Sequence, residues 1–181
     1  MMDPGLGLLI TAGGALLFAA ASWHKWRAQR EFAAILARYQ LLPDLAVAPL
    51  AWLIPALEVA LALALIAGGE WRRPAALVAA VVLLAYALAI GINLRRGRAD
   101  LDCGCAVRQQ RRPIARWMVL RNALLAAVLG AAAAPWDSRP LGAVDALTVI
   151  GGVAIAAFVY VAVDRLLGEL APRAALLRGR G

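Results

Sequence analysis

Residues 46–68 read AVAPLAWLIPALEVALALALIAG, an apolar run interrupted by one carboxylate, Glu58, and two prolines, Pro49 and Pro55. As a helix rising about 1.5 Å per residue, the run is long enough to cross roughly 30 Å of hydrocarbon. Nothing in it alternates in the way a half-buried strand would. Four further stretches read the same way, at about 5–22, 74–94, 117–134 and 141–167. The third of the five spans opens on Pro74, a residue tolerated in the first turn of a helix. The span at 117–134 is the least apolar, because Arg121 and Asn122 lie inside it.

Composition points the same way. Of the 181 residues 64% are hydrophobic and only 17% are charged, whereas soluble domains run about 45–50% apolar and about 25% charged. A soluble chain of this size could not hide so much apolar surface, so the excess must face lipid. Disorder, a disulfide-rich secreted module and most soluble enzyme folds are excluded. The expected architecture is all-α: a polytopic transmembrane helical bundle of about five spans, a four-helix core plus one, forming a single membrane domain over residues 1–181.

The net charge of +8 would suit a nucleic-acid binder only if it formed a continuous basic stripe. Instead the charges cluster between apolar runs. Lys25, Arg27, Arg30 and Arg38 follow the first run; Arg95, Arg96, Arg98, Arg108, Arg111, Arg112 and Arg116 fill the segment at 95–116; and Arg165, Arg173, Arg178 and Arg180 lie at or beyond the end of the last. The opposite side has Arg72, Arg73 and Arg139, a ratio of 15 to 3. The positive-inside rule then places the N-terminus outside, and the 95–116 segment and the C-terminus in the cytoplasm. The first run is not a secretory signal, because residues 1–22 hold no Lys or Arg. Between about 23 and 40, Phe32, Ile35, Leu36 and Tyr39 recur at helical spacing among charged residues. This predicts an amphipathic helix in the interface, with Trp23 and Trp26 at headgroup depth.

Chemistry-bearing residues are few. Cys103-Gly104-Cys105 places two thiols two positions apart, where glycine permits the backbone that a strained, readily exchanged disulfide would need. Six arginines stand within eight positions of the pair, and nearby positive charge raises the thiolate fraction. Three readings stay open: a redox-active pair, half of a metal site, or inert thiols. His24, the one histidine, and Asp102 could complete a metal set, though no spacing motif supports it and no metal ligands are assigned. Glu58 lies near mid-bilayer, where a carboxylate is costly and faces the bundle interior. Pro49 and Pro55 free backbone carbonyls just before it, and Arg121, Asn122 and Asn93 are its expected partners. A proton relay, a cofactor anchor and a polar clamp between helices are equally compatible with it. Tyr86, Trp52 and Trp71 could line an aromatic pocket or anchor in the interface. Asp145 and Asp164, near the ends of the last span, read as non-catalytic. Gly13-Gly14 and Gly151-Gly152 read as helix-packing positions.

Taken in order, His24-Lys25, Phe32, Leu36, Tyr39 with Leu42-Pro43, Pro55-Ala56-Leu57-Glu58, Gly97-Arg98, Asp102-Cys103-Gly104-Cys105 and Arg121-Asn122 resemble the MauE methylamine utilisation family, itself related to DoxX-like membrane proteins. The resemblance covers roughly residues 5–165. It departs at Ala106-Val107, where the family commonly has Phe-Gly. It implies a bacterial inner-membrane protein that supports maturation of methylamine dehydrogenase or a similar periplasmic enzyme, together with a thioredoxin-like partner of the MauD type. By analogy Cys103 and Cys105 would exchange with a partner dithiol, as in a membrane thiol–disulfide oxidoreductase. Glu58, Arg121, Asn122 and Tyr86 would shape a polar pocket, with a quinone as candidate cofactor. The rival expectations are a quinone-linked thiol oxidoreductase of the DoxX-like type, a membrane scaffold and a metal transporter. Charge places the cysteines on the cytoplasmic side, whereas oxidative folding of a secreted subunit takes place outside.

Overall fold

The computed structural model describes residues 1–98, 101 and 113–178, with side chains described as far as residue 167. Every named element is helical: α1 (Pro4–Arg27), α2 (Gln29–Arg38), α3 (Asp44–Ala67), a short 3-10 turn (Gly69–Trp71), α4 (Arg72–Arg95), α5 (Arg116–Ala131) and α6 (Ala143–Arg178). Met2 and Trp136 form an isolated β-bridge.

Local sequence accounts for most helix ends. Asp3 caps α1, its carboxylate accepting the amides of Gly5 at 2.8 Å and Leu6 at 3.2 Å, with Pro4 at the first position. The helix runs to Arg27 and stops where Ala28 leaves helical geometry (φ −117°, ψ 42°). Trp23 to Arg27 therefore continue α1, and the amphipathic helix expected from residue 23 begins at Gln29. Tryptophan, histidine and lysine carry no helix-breaking chemistry, so nothing in Trp23-His24-Lys25-Trp26 would have stopped α1 earlier. At the end of α4, Gly97 adopts φ +73°. Its amide bonds to the Leu94 carbonyl and that of Arg98 to the Asn93 carbonyl, at 3.1 and 3.0 Å. This is a Schellman stop, which a β-carbon at residue 97 would strain.

Among the described residues four segments are long and apolar enough to cross a membrane: Pro4–Arg27, Asp44–Ala67, Gly69–Arg95 and Ala143–Leu167. The stretch expected at 117–134 forms α5, which spans 16 residues and carries Arg116 and Arg121, so it falls short of that length. The protein is a polytopic helical bundle. In it α3 packs closely on α1, and α5 on α4, with lighter contact between α3 and α4. The shared core is built from Ala15, Phe18, Leu61, Ala62, Leu65, Ala76, Ala79, Leu83, Ala126 and Leu129, and its many alanines let the helix backbones approach. A β-carbon at Gly14 would sit 2.6 Å from Leu129, and one at Gly152 would sit 2.5 Å from Leu9, whereas Gly13 and Gly151 face open space. Helix α6 is peripheral: none of its membrane segment is buried inside the protein, against 33–39% of each of the other three.

Contacts define the two ends of the bundle. At one, Met2 pairs with the Pro135–Asp137 backbone, and Arg139 clamps the starts of α1 and α6. Its guanidinium holds Asp3 at 2.7 and 3.0 Å and Asp145 at 2.6 and 2.9 Å. The Arg139 hydrogen bond, with those of the Leu6 and Gly5 amides, holds the Asp3 carboxyl below its usual 3.8. At the other end, Arg96 and Arg98 donate to the carbonyl and side-chain oxygens of Gln40 at 3.3 and 2.8 Å. Between α1, α3 and α6 runs an apolar groove of about 390 Å³, lined in part by Leu8, Leu65, Ile66, Val149 and Ile150.

A buried ionic centre and the neck of the cysteine segment

Glu58 is fully buried on α3, as expected of a carboxylate at that depth. Its partners differ from those expected. Lys25, 4% exposed near the end of α1, donates to Oε1 at 2.6 Å, and the Tyr86 hydroxyl of α4 donates to the same oxygen at 2.7 Å. The Lys25 ammonium lies 5.3 Å from the centre of the Tyr86 ring and 5.5 Å from that of Phe32, so aromatic faces supply part of its solvation. Both donors converge on Oε1. The second oxygen, Oε2, is buried without a hydrogen-bond partner among the described residues. Because Glu58 and Tyr86 belong to different helix pairs, their hydrogen bond spans the seam between α1/α3 and α4/α5.

Arg121 goes elsewhere. It pairs with Asp164 of α6 at 2.6 Å, and its guanidinium lies 5.1 and 5.3 Å from the rings of Trp117 and Tyr160. Its partner is thus a carboxylate from the last span, not Glu58. Asn122 is buried on α5, with no partner for Nδ2 among the described residues. Asn93 is buried on α4 and donates to the Ala89 carbonyl at 3.1 Å. The hydrogen bonds that Glu58 accepts among the described residues come from Lys25 and Tyr86 and not from either asparagine. Of the expected pocket residues, then, the structure joins Glu58 with Tyr86 and separates Arg121 from them.

The freed-carbonyl expectation is met at Pro55. Pro55 cannot donate to the carbonyl four residues earlier, that of Ala51, and Gln29 of α2 supplies the missing donor through Nε2 at 2.9 Å. Helix α2 is thereby tied to α3 at the turn that proline opens.

Lys25 is the residue that sequence reasoning missed. It lies two residues from the end of α1 and reads as an interfacial charge. The available signal was the helical stripe Ser22, Lys25, Gln29, which continues from α1 into α2 and puts a long cationic side chain on the face that meets α3. A mid-membrane carboxylate requires such a counter-charge.

Cys103, Cys105 and Asp102 lie outside the described residues, but the segment that holds them is framed. The Ile114 amide donates to the Leu101 carbonyl at 2.9 Å, and both side chains are buried in a cluster with Tyr39, Ile90 and Met118. The two feet of the cysteine segment therefore meet between α2, α4 and α5, at the Gln40 end. Among the described residues no three His, Cys, Asp or Glu side chains converge in a way that could hold a metal ion.

The class so defined is a small polytopic helical membrane protein with a buried Lys–Glu–Tyr centre and a Cys-Gly-Cys segment at one end. Residues 4–136 match the family model of the methylamine utilisation protein MauE. The methylamine utilization proteins MauE of Methylophilus methylotrophus and Paracoccus denitrificans are 37% and 34% identical to it, each over 92% of this chain and over 88% and 90% of their own lengths. That of Paracoccus versutus is 37% identical over 92% of this chain and 90% of its own length. The chain belongs to the MauE family, whose members take part in methylamine utilisation. No solved structure matches it.

Proposed function

We propose that this protein supports the maturation of methylamine dehydrogenase, or of a similar periplasmic enzyme, by thiol–disulfide exchange through Cys103 and Cys105 with a thioredoxin-like partner of the MauD type. The observation that carries the reading is the closed neck at Leu101 and Ile114. It ties both feet of a segment containing two thiols, separated by a single glycine, to the packed end of a membrane bundle. A thiolate of the pair attacks the partner's disulfide, and the second thiol displaces it. The pair leaves as a disulfide and the partner as a dithiol, with the reverse reaction open to it. The flanking arginines favour the attacking thiolate. Charge bias supports an inner-membrane location with the N-terminus outside and the neck on the cytoplasmic side. In that orientation a cytoplasmic dithiol donor re-reduces the pair by the same exchange, leaving as a disulfide, and the electrons pass outward to the partner, the direction that isomerising wrong disulfides requires.

The test is alkylation of intact cells with permeant and impermeant maleimides, before and after reduction, with adducts counted by mass. Two adducts that appear only after reduction are the expected result. Free thiols under every condition, or Cys103→Ser leaving the partner enzyme's maturation intact, would overturn the reading. A second reading, a quinone-linked thiol oxidoreductase, is favoured by the buried Glu58 Oε2 at the helix seam. Glu58 Oε2 fits a ring bearing a hydroxyl, as the acceptor of its proton. Its test is whether added quinone changes the thiol state of the purified protein.

A further inference from the structure

Polar atoms on four elements, α1 to α4, form two levels inside the bundle. The first is Glu58 with Lys25 and Tyr86. The second lies seven residues along two helices toward the Gln40 end: Ala51 on α3, whose carbonyl takes Gln29, and Asn93 on α4. A seven-residue step returns to nearly the same helix face about 10 Å further along the axis. Each level keeps unmet hydrogen-bonding capacity, and it is of one kind. Glu58 Oε2, Gln29 Oε1 and Asn93 Oδ1 are all buried, all acceptors, and without a partner among the described residues. Glu58 and Asn93 are completely buried. In a membrane interior an unsatisfied acceptor costs several kcal/mol, so the guest at these positions must be a donor. Lys25 already stands at the upper level, which disfavours a metal cation there.

We propose that these acceptors line a file of bound water leading from the Gln40 end of the bundle to Glu58. About three water molecules spaced at hydrogen-bond distance bridge the two levels. Each donates to a wall oxygen or to the next molecule, which is the partner count a buried water needs. Asn93 lies two residues from the end of α4, close to that opening of the file. The file gives solvent protons a route to a carboxylate that has no surface of its own. It is independent of the thiol reading.

The experiment is radiolytic hydroxyl-radical footprinting of the full chain in lipid nanodiscs, read by mass spectrometry. Water trapped beside a side chain labels it, whereas lipid contact does not. Phe32, which is buried, and Tyr86 should be oxidised well above Phe158, which is 76% exposed on the lipid-facing side of α6. Replacing the wall acceptors, in Asn93→Leu and separately in Gln29→Leu, should lower labelling of Tyr86 several-fold and leave the exposed Trp71 unchanged. Labelling of Phe32 and Tyr86 no greater than that of Phe158, or equal labelling of Tyr86 in wild type and variants, would overturn the proposal. If Asn93→Leu fails to fold, Gln29→Leu decides alone, because Gln29 is only partly buried whereas Asn93 is completely buried.

Discussion

At the scale of single residues the chemistry turns on Lys25 and Glu58. A buried ion pair offsets a large desolvation penalty, so removing one partner leaves an uncompensated charge, which is far worse than removing both. Lys25→Met alone should destabilise the protein by about 3–5 kcal/mol. The double variant Lys25→Met with Glu58→Leu should recover most of that loss. Reversible unfolding in mixed detergent micelles measures both, and a double variant no more stable than the single would show that the pair's energy does not lie in its charges. Tyr86→Phe removes one hydrogen bond to a charged oxygen, and by the same measurement should cost about 1.5–3 kcal/mol. The arrangement was half legible: an isolated carboxylate in residues 46–68 announces a buried polar centre, but its cation stands 33 residues away on another helix. Asn93, Arg121 and Asn122 had equal claims as partners until the helices were placed side by side. Linear spacing holds no information about which of several polar residues on different spans share a level.

At the scale of helices, small residues decide where backbones touch. Each of the two glycine doublets inside helices has one member pressed on a neighbour and one facing open space: Gly14 against Leu129 and Gly152 against Leu9, beside Gly13 and Gly151. Gly14→Leu should therefore force α1 away from α5 and cost about 1–3 kcal/mol or more, whereas Gly13→Leu should leave stability nearly unchanged. The comparison uses adjacent residues of the same helix, so propensity cancels and packing is read directly. Equal effects at both positions would remove the close α1–α5 approach from consideration. Composition identified the doublets as packing positions, but which member does the packing depends on helix rotation, a tertiary property. Proline shows the converse. The cost of Pro55 is set by local covalent structure and is visible in the chain, while the donor that answers it, Gln29, is supplied by the turn of chain between α1 and α3.

At the scale of the whole molecule, α6 is held to the bundle by polar contacts near both ends of its membrane segment, the Arg139 clamp with Asp3 and Asp145 and the Arg121–Asp164 pair. The clamp makes a pH prediction. The Asp3 carboxyl is held below its usual 3.8. Its contribution is therefore fully present above that value and is lost as pH falls through the lower, folded-state value. Thermal unfolding of the wild type should weaken on acidification from about pH 5 to about pH 2, and Asp3→Asn should flatten that part of the profile. An unchanged profile in the variant would mean that Asp3 does not join α1 to α6. Exposed to solvent as it is, the clamp should also weaken with added salt.

The sequence by itself determined the class of fold, the number of long apolar segments within one, the charge asymmetry between their ends and the presence of a carboxylate that must be buried. These follow from composition and period, because a membrane interior accepts only helices whose backbone bonds close internally. Membership of the MauE family was legible there too, in short motifs whose order is kept across the chain. Only the tertiary structure decided that Lys25 and not Arg121 answers Glu58, that α5 falls short of a full span while α6 lies at the periphery, and that Leu101 and Ile114 close the neck of the cysteine segment. The physical reason is common to all three. Helix rotation and tilt are set by the packing of alanine and glycine faces among helices that are each apolar nearly all round, and an apolar helix carries little pattern to say which face turns inward.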